Sequence, residues 1–184
     1  WQSNCSNDED TIAQWWSDWP NSNVGVALGP SSGIIDVEFD SDQGQKTAER
    51  LLGDPMTPSF CSKRSTHRLF RYDERLPTDK AVVTYEGLEF RIGVGGRGAQ
   101  SVFPPSMHGS GQQYVWRPGM SPDELDVIAP LPEAAIEALR ESGNHKGDAN
   151  GNGRVALAEL LNGVPEGERD NALMSAGGKL ARMM

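Results

Sequence analysis

An apolar segment that ends in acidic residues, Gly33-Ile34-Ile35-Asp36-Val37-Glu38-Phe39-Asp40, places the strongest constraint on this chain. Its isoleucine, valine and phenylalanine favour a buried β-strand. Asp36 and Glu38 are two residues apart, so both side chains project from the same face of that strand. Neighbouring carboxylates repel each other unless a cation lies between them. A hard divalent cation such as Mg²⁺ or Mn²⁺ would fit there and would also bind phosphate oxygens, whereas a solvated strand end is the plainer alternative.

The composition is typical of a globular protein. The 184 residues are 36% hydrophobic and 23% charged, which allows one domain and a small appendage. No apolar run approaches the roughly 18 residues that span a membrane, so we expect no membrane partner. Cys5 and Cys61 are too few for a disulfide framework or a four-cysteine zinc site, so we expect a reducing, cytoplasmic (intracellular) location. Because the first residue is Trp1, we expect that the native start is missing.

The charge is unevenly distributed along the chain. The net charge is −9, yet residues 60–97 contain eight basic and five acidic residues. A local basic surface in an acidic protein suits a phosphate-bearing substrate held in one groove. Ordinary solvated charges are the alternative explanation.

The pattern of apolar residues, turn residues and helix caps predicts the order of elements. Helices are expected at 8–19, 43–52 and 132–140, and strands at 24–28, 33–40, 66–72, 88–92, 100–103 and 113–116. The first two strands are predicted to form a hairpin over residues 24–40. We expect a domain over residues 1–141, a polar, glycine-rich linker over 142–153 and a helical appendage over 154–184.

Several short motifs follow one another in a specific order. They are Trp15-Trp16, Pro20 to Gly29, Asp36-Val37-Glu38, Ser65-Thr66-His67, Leu88-Glu89-Phe90-Arg91, Pro104-Pro105-Ser106-Met107-His108 and Tyr114-Val115-Trp116. No single motif is strong, but the ordered set resembles the bifunctional primase-polymerase (prim-pol) domain of the archaeo-eukaryotic primase superfamily. The resemblance covers roughly residues 8–140.

The resemblance implies site residues. It assigns metal binding and catalysis to Asp36, Glu38 and Glu89, and contact with the nucleotide triphosphate to Ser65 and His67. Lys63, Arg64 and Arg91 are added as candidate nucleotide-binding residues because their charge suits a triphosphate or a template. Arg91 follows Glu89 by two residues and so shares its strand face. Two alternatives remain open: Glu89 is only an exposed acid on a strand, and His67 has only a structural role.

The resemblance also implies a fold and a function. The expected fold class is α/β (α+β): an antiparallel, RRM-like catalytic sheet with flanking helices, plus a small C-terminal helical appendage. The expected function is template-directed nucleotidyl transfer, as a DNA primase, a DNA polymerase or both, by a two-metal mechanism with Mg²⁺ or Mn²⁺. Expected partners are a DNA template and primer, dNTP or rNTP, and a helicase domain or protein. The alternative is a non-catalytic, primase-like module that binds nucleic acid.

The segment 148–159 carries a competing signal. It fits the EF-hand loop pattern from Asp148 to Glu159, with glycine at the sixth position. A Ca²⁺ loop needs a helix that runs directly into it, and the segment from Gly143 to Gly147 interrupts that helix. We therefore predict a linker here, with a Ca²⁺-binding interaction domain as the alternative.

Overall fold

The computed structural model describes residues 5–93 and 98–144. These residues fall into two compact units, one that contains the first helix and one that begins at Asn23. Helix α1 (Glu9–Asp18) is capped by Asp8, whose side chain accepts a 2.8 Å hydrogen bond from the Thr11 amide. Glu9 and Asp10 in its first turn complement the helix dipole.

The second unit contains two antiparallel β-sheets. Its elements are β1 (Val24–Leu28), β2 (Ile34–Phe39), α2 (Asp42–Leu52), β3 (Ser59–Cys61), β4 (Thr66–Arg71), β5 (Val82–Tyr85), β6 (Leu88–Arg91), β7 (Ala99–Phe103), β8 (Val115–Trp116) and α3 (Glu133–Asn144). Six strands form one sheet in the order β5-β6-β2-β4-β3-β8, and β1 pairs with β7 in a two-stranded sheet. The predicted mixed α+β class with antiparallel sheets is confirmed.

The alternation of side chains along β2 separates the core from the site. Ile35, Val37 and Phe39 are buried in the main core, together with Leu51 of α2 and Ile136 of α3. Asp36 and Glu38 therefore project from the opposite face of the six-stranded sheet.

A smaller apolar cluster covers part of that opposite face. Phe60 of β3, Leu69 of β4 and Phe103 of β7 are buried together, and Val26 of β1 packs against them. The two-stranded sheet thus lies on the same face of the large sheet as the two acids.

One sequence-based prediction of pairing is wrong. Residues 24–40 do not form a hairpin, because β1 pairs with β7 along its whole length and meets β2 only through a bridge between Gly29 and Ile34. The reason is that β2 lies inside the sheet with β4 on one edge and β6 on the other. From Asp36 to Glu38 both edges of β2 are therefore occupied, and the segment after β1 pairs with β2 only at Ile34.

The remaining elements match the prediction except at a few places. The structure adds two strands that the sequence did not indicate, β3 and β5. Helix α3 extends to Asn144, so the first residues of the predicted linker are helical. The rest of that linker, the appendage over 154–184 and the EF-hand-like segment lie outside the described residues. Within the described ranges, no helix combines the length and the apolar character needed to cross a membrane.

Candidate active site

The strand register brings the predicted acids of β2 and β6 together, next to His67 of β4. Glu38 lies opposite His67 of β4 on one side and opposite Glu89 of β6 on the other. Asp36, two residues earlier on β2, lies opposite Arg91 of β6. Because all five side chains share one face of the sheet, three carboxylates, one imidazole and one guanidinium are neighbours.

Asp36 is the most buried member of this cluster, with 0% of its surface exposed. Its Oδ2 accepts hydrogen bonds from His67 Nδ1 at 2.9 Å, from Ser101 Oγ at 2.5 Å and from Arg91 Nη1 at 3.3 Å. Its Oδ1 is buried and has no hydrogen-bond partner among the residues that the structure describes. One oxygen of this carboxylate is thus saturated, while the other has lone pairs left for a ligand.

Arg91 lies among the three acids. Its Nη2 is 2.6 Å from Glu89 Oε1 and also contacts Glu38 Oε2, while its Nη1 reaches Asp36. Burial lowers the pKa of Arg91, but the carboxylates outweigh that effect and raise its pKa above the ordinary value. The cluster therefore already binds a cation, and that cation is a side chain of the protein.

His67 is held rigidly between two carboxylates. It is 4% exposed, and its ring stacks on Phe60 with centroids 4.4 Å apart and an interplanar angle of 6°. Its Nδ1 bonds to Asp36, and its Nε2 lies 3.9 Å from Glu38 Oε1. The contacts of His67 are thus with the predicted metal-binding acids, and its contact with a triphosphate stays a prediction.

The other predicted nucleotide-binding residues lie near one another on the turn between β3 and β4. The Ser62 amide donates a 2.9 Å hydrogen bond to the Ser65 carbonyl and closes this turn. Lys63 and Arg64 are exposed at its tip, and Ser65 directly precedes β4. None of the hydrogen bonds and ion pairs of the carboxylate cluster described above involves these three predicted residues.

Two residues near the cluster had no role in the sequence-based prediction. Ser101 of β7 reaches Asp36 from the two-stranded sheet. Tyr114 precedes β8; burial raises its pKa, and Glu38 and Asp36 raise it further against an opposing effect of Arg91. A serine within a strand gives no local signal of such a role. Tyr114 is part of the motif Tyr114-Val115-Trp116, and its place in that motif could have identified it as a candidate site residue.

The chemistry of the cluster fits a hard divalent cation, although its present geometry does not provide a metal site. In residues 5–93 and 98–144, no group of three or more His, Cys, Asp or Glu side chains is arranged so that it could hold a metal ion. The carboxylates of Asp36, Glu38 and Glu89 converge on Arg91 instead. Carboxylate oxygens are nevertheless the ligands that Mg²⁺ and Mn²⁺ prefer, and the unpartnered Asp36 Oδ1 is available to one.

Fold and site together define an α+β protein whose central antiparallel sheet presents a cluster of acidic side chains around one arginine. The family model for the N-terminal domain of bifunctional DNA primase/polymerase matches residues 1–134, and the chain belongs to this family. This confirms the predicted family and implies an enzyme of the nucleotidyltransferase type with nucleic-acid and nucleotide substrates. Such enzymes are generally metal-dependent. Searches among curated proteins and among solved structures gave no match.

Proposed function

We propose that this chain catalyses template-directed nucleotidyl transfer, as a DNA primase, a DNA polymerase or both, with Mg²⁺ or Mn²⁺ held by Asp36, Glu38 and Glu89. The observation that carries the proposal is the convergence of these three carboxylates on one cationic group. Three carboxylates around one guanidinium leave an excess of negative charge, which a divalent cation would offset.

The proposed chemistry divides between the cation and the side chains. Divalent cations, when bound, activate the attacking 3′-hydroxyl and neutralise the departing pyrophosphate. Asp36 offers its Oδ1, while His67 and Ser101 keep its Oδ2 fixed. Positioning and charge stabilisation supply most of the rate enhancement in such transfers.

Arg91 has to change partners in this proposal. Its guanidinium binds the same carboxylates that would bind the cation, so the two compete. An incoming triphosphate offers Arg91 another set of anionic oxygens with suitable geometry. The nucleotide-binding role of Arg91 is therefore compatible with its present contacts, provided that metal and nucleotide bind together.

The β3–β4 turn is the proposed second part of the nucleotide site. Lys63 and Arg64 are exposed there and lead through Ser65 directly into the strand that carries His67. Exposed cations so close in sequence to the cluster suit the outer phosphates of a nucleotide or the backbone of a template.

The decisive experiment is extension of a primed DNA template with Mg²⁺ or Mn²⁺. Asp36→Ala and Glu38→Ala should each lower nucleotide incorporation by at least about 10²-fold, because charge stabilisation at the reacting phosphate is lost. Glu49→Ala is the matched control, since Glu49 lies on α2, which packs against the opposite face of the sheet. Thermal unfolding of each variant shows whether the fold is kept.

Wild-type rates in both acid variants would contradict the proposal. Wild-type protein that binds DNA but incorporates no nucleotide with either metal would instead support a non-catalytic nucleic-acid-binding module. The same assay on an unprimed template, with dNTP and with rNTP, separates primer synthesis from extension.

A further inference from the structure

Ser101 is a polar residue on an otherwise apolar strand face. The inward face of β7 consists of Ala99, Ser101 and Phe103, all of which are buried. Ser101 is 3% exposed, and its Oγ lies 2.5 Å from Asp36 Oδ2. A buried hydroxyl needs a partner, and this one finds it on a strand 65 residues earlier in the chain.

The hydrogen-bond chain through Ser101 has a fixed direction. Arg91 Nη1 is a donor only, and it donates to Ser101 Oγ at 3.3 Å. Asp36 Oδ2 in turn accepts the hydroxyl proton of Ser101. Consecutive bonds of this kind polarise and strengthen each other in a buried environment.

Ser101 of β7 connects to Asp36 of β2, and these two strands share no backbone pairing. Strand β7 pairs with β1, whereas β2 pairs with β4 and β6. The position of the Asp36 carboxylate relative to β7 is therefore set by side chains, and Ser101 is the β7 residue that bonds to it.

We propose that Ser101 is a positioning residue for the metal-binding carboxylate of Asp36. With His67 it holds Oδ2, also after Arg91 has changed partners, and so keeps the carboxylate placed with Oδ1 left for the cation. The inference rests on the proposed function, since it presumes that Asp36 is a metal ligand. Loss of an outer hydrogen bond to a metal ligand typically lowers metal affinity about 10–100-fold.

Three substitutions of Ser101 separate the effect of its hydrogen bond on Mn²⁺ affinity from the effect of its packing. Ser101→Ala removes the donor, and Ser101→Cys keeps nearly the same shape but donates weakly. Ser101→Thr retains the hydroxyl and suits a strand position. We expect Mn²⁺ affinity to fall about tenfold in the Ala and Cys variants and to return toward the wild-type value in the Thr variant.

The experiment is a Mn²⁺ titration of the whole chain without DNA or nucleotide, with free Mn²⁺ followed by electron paramagnetic resonance. Ser59→Ala is the matched control, because Ser59 is also a buried strand serine but donates to the Thr57 carbonyl. Melting temperatures in EDTA show whether each variant folds. Should the Thr variant be unstable, the comparison of Cys with wild type still decides the question.

The Asp36→Ala variant tests the metal role of Asp36 separately from the positioning role of Ser101. Weak Mn²⁺ binding in Asp36→Ala together with wild-type binding in Ser101→Ala and Ser101→Cys would overturn the role of Ser101 alone. Wild-type binding in Asp36→Ala would overturn the metal role of Asp36 and, with it, this inference.

Discussion

At the scale of single residues, Arg91 decides the charge balance of the site. Glu38 and Glu89 lie directly opposite each other on neighbouring strands, a pairing that is unfavourable for like charges. Arg91 contacts both of them and Asp36, and its side chain is only 22% exposed. It therefore stabilises the protein by supplying charge that a metal ion could supply in its place.

We predict that Arg91→Ala destabilises the metal-free protein and makes its stability depend on metal. The unfolding free energy in EDTA should fall by about 3 kcal/mol, because a largely buried ion cluster loses its cationic partner. Mn²⁺ should then raise the melting temperature more than in wild type, since the cation no longer competes with a guanidinium. Thermal unfolding with EDTA and with Mn²⁺ measures both effects.

Arg75→Ala is the control for Arg91. Arg75 pairs with Asp73 and Glu133 on the surface, and exposed ion pairs contribute little to stability. Its loss should leave the response to Mn²⁺ unchanged. An Arg91→Ala protein as stable in EDTA as wild type, with an equal response to Mn²⁺, would contradict the competition between Arg91 and metal.

At the scale of elements, the β5–β6 hairpin holds Glu89 and Arg91 in place. Its two-residue turn consists of Glu86 and Gly87, with φ angles of 44° and 84°. Positive φ at both positions matches the twist of a tight hairpin. A Cβ atom on Gly87 would lie 2.8 Å from the Gly44 amide nitrogen of α2, so the turn also packs closely on that helix.

We predict that Gly87→Ala lowers the free energy of unfolding by more than the cost of positive φ alone. Positive φ costs an alanine roughly 1–2 kcal/mol, and the close contact with α2 adds about 1–3 kcal/mol. Gly33→Ala is the matched control, because Gly33 has a φ of 71° and nothing within 4 Å of the added methyl group. Denaturant unfolding of the two variants measures the difference, and equal losses would show that the contact with Gly44 is easily relieved.

The sequence predicted single elements better than their arrangement. Alternation along β2 placed Asp36 and Glu38 on one face, and the structure agrees. Strand β3 is only three residues long, which is too short for a periodic signal. Strand β5 had no strong signal either, because Glu86-Gly87 is not one of the Asn-Gly or Asp-Gly pairs that favour a tight hairpin turn.

The arrangement of the site could not be predicted from the sequence for the same physical reason. Periodicity gives the face on which a side chain lies, but it does not tell which strands stack across that face. The bond between Ser101 and Asp36 depends on the two-stranded sheet, whose pairing was predicted wrongly. The place of Arg91 among three acids depends on the register of β2 with β6, and a shift of one residue would abolish it.

At the scale of the whole molecule, part of the positive charge in residues 60–97 is held by other groups of the protein. Arg68 is buried and donates to the Gly53 carbonyl, Arg75 pairs with two acids, and Arg91 lies in the carboxylate cluster. Lys63, Arg64, Arg71 and Lys80 are exposed, on a chain whose net charge is −9. Attraction to the phosphate backbone should therefore be weak and local.

We predict that the affinity of this chain for duplex DNA depends only shallowly on salt. Each neutralised phosphate contributes about −0.9 to the slope of log affinity against log salt, and we expect about two to four contacts. The slope, measured by fluorescence anisotropy over a range of NaCl concentrations, should thus lie between about −2 and −4. Joint replacement of Lys63 and Arg64 by alanine should reduce its magnitude by about 2, whereas Arg75→Ala should leave it unchanged because Arg75 is held by Asp73 and Glu133. Tight binding with a much steeper slope, or a slope that the double variant does not change, would place the DNA contacts elsewhere on the molecule.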